Sequence, residues 1–264
     1  MGKHSQDKHA KKKTKIKNKG KLIVSIIQLI FIIIIIISLT KIVQWYANNK
    51  KSEKIMKNIS DSIIIIDNEK DNNELSQQSY KINFEALKEE NNDTVGVLKV
   101  KGTNIEYPVV KGTNNDFYLN HSFDKSSNSA GWIFADYKNK FDGTDKNIII
   151  YGHNRRDGSM FYTLKNILNK EWYEKEENLK VKFITEKEET IYQVFSVYQI
   201  EAEDYYTKTS FKNNEEYEQF LKTLAKRSIK DFNINLNAED KILTLSTCAN
   251  NNKYRVVLHA KKVN

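Results

Sequence analysis

Lys241-Ile242-Leu243-Thr244-Leu245-Ser246-Thr247-Cys248, then Ala249-Asn250-Asn251-Asn252-Lys253, then Tyr254-Arg255-Val256-Val257-Leu258, is the stretch on which the reading of this chain turns. Ile242, Leu243 and Leu245 on one side, and Val256, Val257 and Leu258 on the other, read as two buried strands joined by a short polar loop. The first strand ends in the chain's single cysteine, seven residues before an arginine. A lone thiol cannot close an internal disulfide, which leaves packing, metal ligation or nucleophilic attack as its uses. Free cysteine is among the most buried residue types, so packing is the ordinary reading of Cys248 taken alone.

Working outward, the same kind of run recurs. Val95 to Val100, Ile105 to Val110, Trp132 to Ala135, Asn147 to Tyr151, Leu179 to Ile184, Thr190 to Ile200, Ile242 to Thr247 and Tyr254 to Val263 are eight strand candidates separated by turn signals. That pattern predicts a mainly β fold, an antiparallel barrel or sandwich. Pro108, the one proline, predicts an edge or a bulge within its strand. Helices are expected at Asn83 to Glu90, Phe161 to Glu176 and Glu215 to Ile229, the last with Tyr217, Phe220, Leu221 and Leu224 on one face.

The net charge of +9 over 264 residues is unevenly spread. Residues 1–21 hold nine lysines and one acid, Asp7, so the remaining residues are nearly neutral. A nucleic-acid partner needs a basic face on the folded part, and that reading is excluded. Leu22 to Leu39 carries no charge over 18 residues and is interrupted only by Ser25, Gln28 and Ser38. It is long enough to cross a bilayer, with Trp45 and Tyr46 as an interfacial anchor. No Ala-x-Ala cleavage site follows, which favours an uncleaved anchor over a signal peptide. The lysine tail predicts a cytoplasmic N-terminus and an extracellular remainder. The expected division is a basic tail (1–21), a transmembrane anchor (22–46), a stalk (47–80) and a globular domain (81–264). A thiol left unpaired outside the cell is more plausibly a reactive one.

Two of the five histidines, His4 and His9, lie in the tail. His121 follows a turn at Asp116 to Leu119, and alternation along the last strand puts His259 on the face of Arg255. His153 directly follows the apolar run Ile148-Ile149-Ile150-Tyr151 and precedes a polar turn, a common position for a catalytic group. Taken alone, the ordinary reading of His153 is a satisfied surface histidine. Asp157 reads as a turn residue serving the backbone, and Asp136 is the other aspartate that a Cys-His-Asp triad could draw on. No metal-ligand spacing is present and no cofactor is implied.

Tyr151-Gly152-His153-Asn154, Asp157-Gly158-Ser159-Met160-Phe161, Thr244-Leu245-Ser246-Thr247-Cys248 and Arg255, together with Ile105-Glu106-Tyr107-Pro108-Val109-Val110, Asn115 to Phe123 and Gly131 to Tyr137, resemble the class B sortases. These are membrane-anchored cysteine transpeptidases of Gram-positive bacteria. The resemblance runs from about residue 80 to the C-terminus and implies an eight-stranded sortase-type barrel with peripheral helices. It further implies Cys248 as nucleophile, His153 as proton donor and acceptor, and Arg255 as substrate clamp in place of an aspartate. Asn115, Leu119, Ser246 and Thr247 match positions that line the substrate groove, with Thr247 turned from Ser246's face by strand alternation. The implied reaction cleaves a surface protein's sorting signal after threonine through a thioester and passes it to an amine of peptidoglycan or its lipid-linked precursor. The alternatives are a hydrolytic or pilin-polymerising relative, and a catalytically silent membrane-tethered peptide-binding domain. The Cys248–Arg255 loop is shorter than in many relatives, which bears on substrate contacts made by that loop.

Overall fold

The computed structural model describes residues 3–60, 63–66, 79–248 and 253–263. The stretch 67–78 of the stalk and the loop 249–252 lie outside them. The chain divides into two compact units, Met1–Lys50 and Lys51–Asn264. The first consists of helix, part of α1 (Lys3–Ser60). Within it residues 22–39 present exposed side chains, and α1 is long and apolar enough to cross a membrane.

In the second unit, the last turns of α1 supply Ile55 and Ile59 to the core, and Ser52 Oγ accepts a hydrogen bond from Asn128 Nδ2 at 3.1 Å. A small hairpin pairs β1 (Ile63–Ile66) with β2 (Ser79–Ile82). Helix α2 (Phe84–Glu90) follows, its start capped by Asn83, whose side chain accepts from the Ala86 amide. Eight further strands close a barrel: β3 (Thr94–Val100), β4 (Ile105–Val110), β5 (Phe134–Ala135), β6 (Asn147–His153), β7 (Lys180–Ile184), β8 (Glu189–Glu201), β9 (Ile242–Cys248) and β10 (Tyr254–Lys262). Their order around the barrel is β10-β8-β7-β3-β4-β5-β6-β9, with β9 paired back to β10. All eight coincide with the runs read from the sequence.

The purely antiparallel expectation does not hold. β4 pairs β5 in parallel, and β6 pairs β9 in parallel over seven residue pairs from Asn147↔Ile242 to His153↔Cys248. The physical reason lies in β6 and β9 themselves. Both are covered on two faces: β6 carries the continuous apolar run Ile148 to Ile150, the mark of a strand inside a parallel pairing, and β9 buries Thr244 and Ser246 as well as its aliphatic residues. Leu243 and Leu245 point into the barrel with Val256 and Leu258, while Ile242 and Val257 point outward beneath α4 (Asn214–Lys226). Parallel pairing has a consequence for chemistry: the C-terminal ends of β6 and β9 share one rim. An antiparallel arrangement would have put His153 and Cys248 at opposite ends of the sheet.

Helix α4 forms because Asn213 caps its first turn at Glu216 N (2.9 Å) and because Tyr217, Phe220, Leu221 and Leu224 recur at helical spacing. They pack on Phe195 and Tyr198 of β8 and make a second core outside the barrel. The helix expected at Phe161 to Glu176 is broken instead. Turns of 3₁₀ helix at Tyr162–Leu168 and Glu176–Leu179 flank a single α-turn, α3 (Lys170–Tyr173). Burying Leu164, Ile167 and Trp172 along the barrel needs this tighter path, and Trp172 Nε1 is tied to the Lys101 carbonyl at 3.0 Å. Pro108 sits where β4 has no strand partner on one side, since pairing with β5 begins only at Val110. A residue's N–H and C=O leave a strand together; the Pro108 carbonyl accepts Trp132 Nε1 at 2.9 Å, so no ladder donor is missed.

Candidate active site

Alternation along three neighbouring strands assembles one outward face. β6 contributes Asn147, Ile149, Tyr151 and His153; β9 contributes Ile242, Thr244 and Ser246; β10 contributes Arg255, Val257 and His259. His153 and Cys248 are direct register partners, and paired residues on neighbouring strands lie about 5 Å apart. On the other side Ser246 is opposite Val257, where the β9–β10 register ends. Backbone pairing thus brings His153 and Cys248 to one rim, and Arg255 lines the cleft beside it with Ser246 and Thr247.

His153 is buried, and its Nε2 lies 2.7 Å from the Leu119 carbonyl oxygen. A carbonyl only accepts, so Nε2 carries a proton, and Nδ1 is the nitrogen left to take up or release one. Nδ1 is buried with no partner among the described residues. Two glycines make room for this placement. Gly131 holds φ +61, and a Cβ there would stand 2.8 Å from His153 Cδ2 and 2.6 Å from the Tyr118 carbonyl. Gly152, one residue before the histidine, faces the opposite way; a Cβ would meet Ile133 Cδ1 at 2.5 Å and Phe161 Cγ at 2.7 Å. Asp157 does not reach the ring. It accepts from the amide and hydroxyl of Ser159 and pairs with Arg155, whose Nη2 is 2.6 Å away. Burial alone would raise its pKa, but the hydrogen bonds from Arg155 and Ser159 outweigh it and hold the carboxyl below its usual range.

Beside the rim opens a cleft of about 350 Å³ lined by Asn115, Asp136, Tyr151, Ser246, Thr247 and Arg255 and by residues 202–204, 206 and 207. Arg255 is half-exposed, and the one hydrogen bond its guanidinium makes among the described residues is a 3.5 Å contact to the Tyr254 carbonyl. Its remaining donors face no carboxylate at salt-bridge distance among those residues. Asp136 is buried and works as a brace. One oxygen accepts from Asn115 Nδ2 (2.9 Å) and the Tyr151 hydroxyl (3.0 Å), the other from the Lys138 amide (2.9 Å). Ser246 Oγ and the Tyr206 hydroxyl are 3.0 Å apart. Thr247 Oγ1 accepts the Val256 amide at 2.9 Å where the β9–β10 ladder runs out.

Of the six residues other than Cys248 singled out from the sequence, Asn115, Ser246, Thr247 and Arg255 line this cleft. His153 lies at the end of the β6 ladder, and Leu119 is represented by its carbonyl, with its side chain packed against the core. Tyr151 and Tyr206 went unselected. Tyr151 could have been found by stepping back two residues from His153 on the same face. Nothing local marks Tyr206, which arrives through tertiary packing.

The Sortase domain family model matches residues 98–263. Sortase B of Staphylococcus aureus (strain NCTC 8325 / PS 47) is 33% identical over 228 residues, covering 86% of this chain and 90% of that protein. Among solved structures, sortase B of Clostridium perfringens is 40% identical with a TM-score of 0.64, over 69% of this chain and 100% of that one. A Staphylococcus aureus sortase B–substrate complex is 34% identical with a TM-score of 0.65, over 69% of this chain and 85% of that one. With a shared barrel, and identity of this order across most of two chains, this chain belongs to the sortase family, among the class B cysteine transpeptidases.

Proposed function

We propose that this enzyme cleaves the C-terminal sorting signal of a surface protein after its threonine and joins the new carboxyl end to an amine of peptidoglycan or of its lipid-linked precursor. His153 Nδ1 takes the proton of the Cys248 thiol, and the thiolate so formed attacks the threonine carbonyl and forms a tetrahedral oxyanion. Collapse expels the amine of the following residue, which takes its proton from His153, and leaves a thioester. The acceptor amine then attacks the thioester, gives its proton to His153 and releases Cys248 with a new peptide bond formed. With Nε2 committed to the Leu119 carbonyl, the proton travels through Nδ1. Arg255, planar and always charged, donates to the oxyanion or the substrate backbone. Asn115, Ser246 and Thr247 contact the sorting signal along the cleft, and the Leu119 side chain contacts it beyond the cleft lining.

The observation that carries this reading is the paired register His153↔Cys248 beside Ser246↔Val257. The lysine-rich tail before the apolar helix supports an N-terminus in the cytoplasm and a catalytic domain outside. The test is full-length protein in detergent micelles given a library of quenched sorting peptides, with and without an amine acceptor. Amine-dependent product, abolished in Cys248→Ala, is the expected result. Cleavage indifferent to the amine would make it a hydrolase, and silence across the library would make it a binding domain.

A further inference from the structure

A second open cavity, of about 470 Å³, adjoins the catalytic cleft, and Lys138 lines both. One wall comes from the segment 138–146, the other from residues 209–214 leading into α4. Its lining holds four lysines, Lys138, Lys140, Lys146 and Lys212, against one carboxylate, Asp145. None of the four forms an ion pair among the described residues. Asp145 is turned to its own loop, where it accepts the amides of Lys140 and Phe141 and the side chain of Asn139. The nearest acid of α4, Glu216, accepts Lys208 Nζ at 2.5 Å and the Lys212 amide. Lys146 Nζ donates to the Ala238 carbonyl at 2.5 Å, while Lys138, Lys140 and Lys212 are exposed. Lys138 Nζ lies 5.6 Å from the Tyr137 ring centroid, and Lys140 and Lys212 feel the nearby Asp142 and Glu216 carboxylates without pairing with them at salt-bridge distance.

The contrast with the adjoining cleft is one of sign. That cleft sets Asp136, Glu203 and Asp204 against Lys138 and Arg255. Outside the N-terminal tail the chain is nearly neutral, so the basic lining is a local concentration rather than a share of a basic surface. Ammonium groups gathered round one cavity repel each other until an anion enters, and lysine binds phosphoryl oxygens as a point charge. The Thr209 and Ser210 side chains line the same cavity and add hydroxyl donors. The volume exceeds that of a single phosphate and suits a diphosphate or a phosphate ester.

We propose that this cavity is an anion subsite for the acceptor substrate, holding phosphoryl groups that the acceptor carries while its amine enters the catalytic cleft past Lys138. The inference rests on the transpeptidase reading, and its test does not require turnover. Inorganic pyrophosphate is titrated by calorimetry into the full chain in neutral detergent at low and physiological salt. Saturable one-site binding is expected, weakened about tenfold in Lys140→Gln/Lys212→Gln and unchanged in Cys248→Ala. A diphosphate-bearing isoprenoid in the same micelles separates the two sources of the group: tighter binding than pyrophosphate means a lipid-borne ligand, equal binding a free one. Binding that does not saturate, or that survives the double lysine substitution, overturns the subsite whatever the enzyme's activity. Sound binding without amine-dependent transfer would sink only the transpeptidase reading.

Discussion

His153 and His259 stand on the same outward face of one sheet, flanking β9 on opposite sides, and both are buried. Their bonding differs. Thr244 donates its one hydroxyl proton to Asn147 Oδ1 (2.7 Å), so it accepts from His259 Nδ1 (2.9 Å), and His259 Nε2 accepts from the Tyr198 hydroxyl (2.8 Å). Every donor finds an acceptor. Burial, with the nearby Arg227 cation, pushes the His259 pKa down to about 3, and the ring stays neutral. His153 has one nitrogen bonded and the other without a partner among the described residues. The arginines repeat the contrast: Arg227 is ion-paired with Glu203, whereas Arg255 makes one long backbone contact. Residue type and burial are shared by the two histidines; what differs is that His153 keeps a buried nitrogen without a partner among the described residues, as does the Ser122 hydroxyl.

The most direct way to break this comparison is to remove both rings. His153→Ala is expected to lower kcat/KM for transpeptidation about a thousandfold or more, within the range that general acid–base groups contribute, with the thermal midpoint little changed. His259→Leu is expected to do the reverse, leaving the rate constants near wild type at low temperature. Peptide-transfer kinetics paired with thermal melts on each variant decide it, and equal losses of rate would dissolve the distinction. Next in size is Arg255. Arg255→Lys keeps the charge but loses the planar pair of donors, and a loss of about 10- to 100-fold in kcat/KM is expected. Because its side chain makes one weak contact, unfolding should move by no more than about 0.5 kcal/mol. A lysine variant as fast as the parent would reduce Arg255 to a simple charge.

The barrel strands were legible in the sequence because each is a compact apolar run bounded by turn residues. The parallel β6–β9 pairing was not, since an uninterrupted run such as Ile148 to Ile150 shows burial on both faces without showing which neighbour covers it. The site divides in the same way. Cys248, His153 and Arg255 were selected through motif and strand position. The tautomer of His153 depends on the Leu119 carbonyl, 34 residues away in sequence. Asp136 could be weighed from sequence only as a triad member. Its work as a brace for Asn115 and Tyr151 depends on two loops meeting, which no local pattern encodes.

The scaffold side of the comparison can be tested by pH. The folded-state pKa of His259 lies below its unfolded value of about 6.5, so between pH 6.5 and about 3 the unfolded chain binds more protons. Stability is therefore full above pH 6.5 and falls as the pH drops, by up to about 1.4 kcal/mol per pH unit from this one group. His259→Leu removes that slope. It also takes the acceptor from the Tyr198 hydroxyl, at about 1–3 kcal/mol for a buried group left unsatisfied, while Thr244 keeps its bond to Asn147. Urea unfolding at pH 4.5, 5.5 and 7.5 reads both effects, and an unchanged slope in the variant would reassign the acid sensitivity to other groups.

The smallest expected effect belongs to Tyr206, where the two regions meet. Its carbonyl accepts Asn147 Nδ2 at 3.3 Å from the saturated network, while its hydroxyl shares a 3.0 Å hydrogen bond with Ser246 in the cleft. Tyr206→Phe keeps the ring packing and the carbonyl and removes the hydroxyl alone. Ser246 lines an open cleft, so water can replace the lost partner, and the cost in stability should be about 0.5–1.5 kcal/mol. What changes is the orientation of Ser246 toward bound peptide. A few-fold rise in KM with kcat unchanged is expected, because binding weakens equally in ground and transition states. A fall in kcat at constant KM would move Tyr206 from the scaffold to the reacting groups, and the boundary between the two regions would lie one residue deeper than the hydrogen bonds place it.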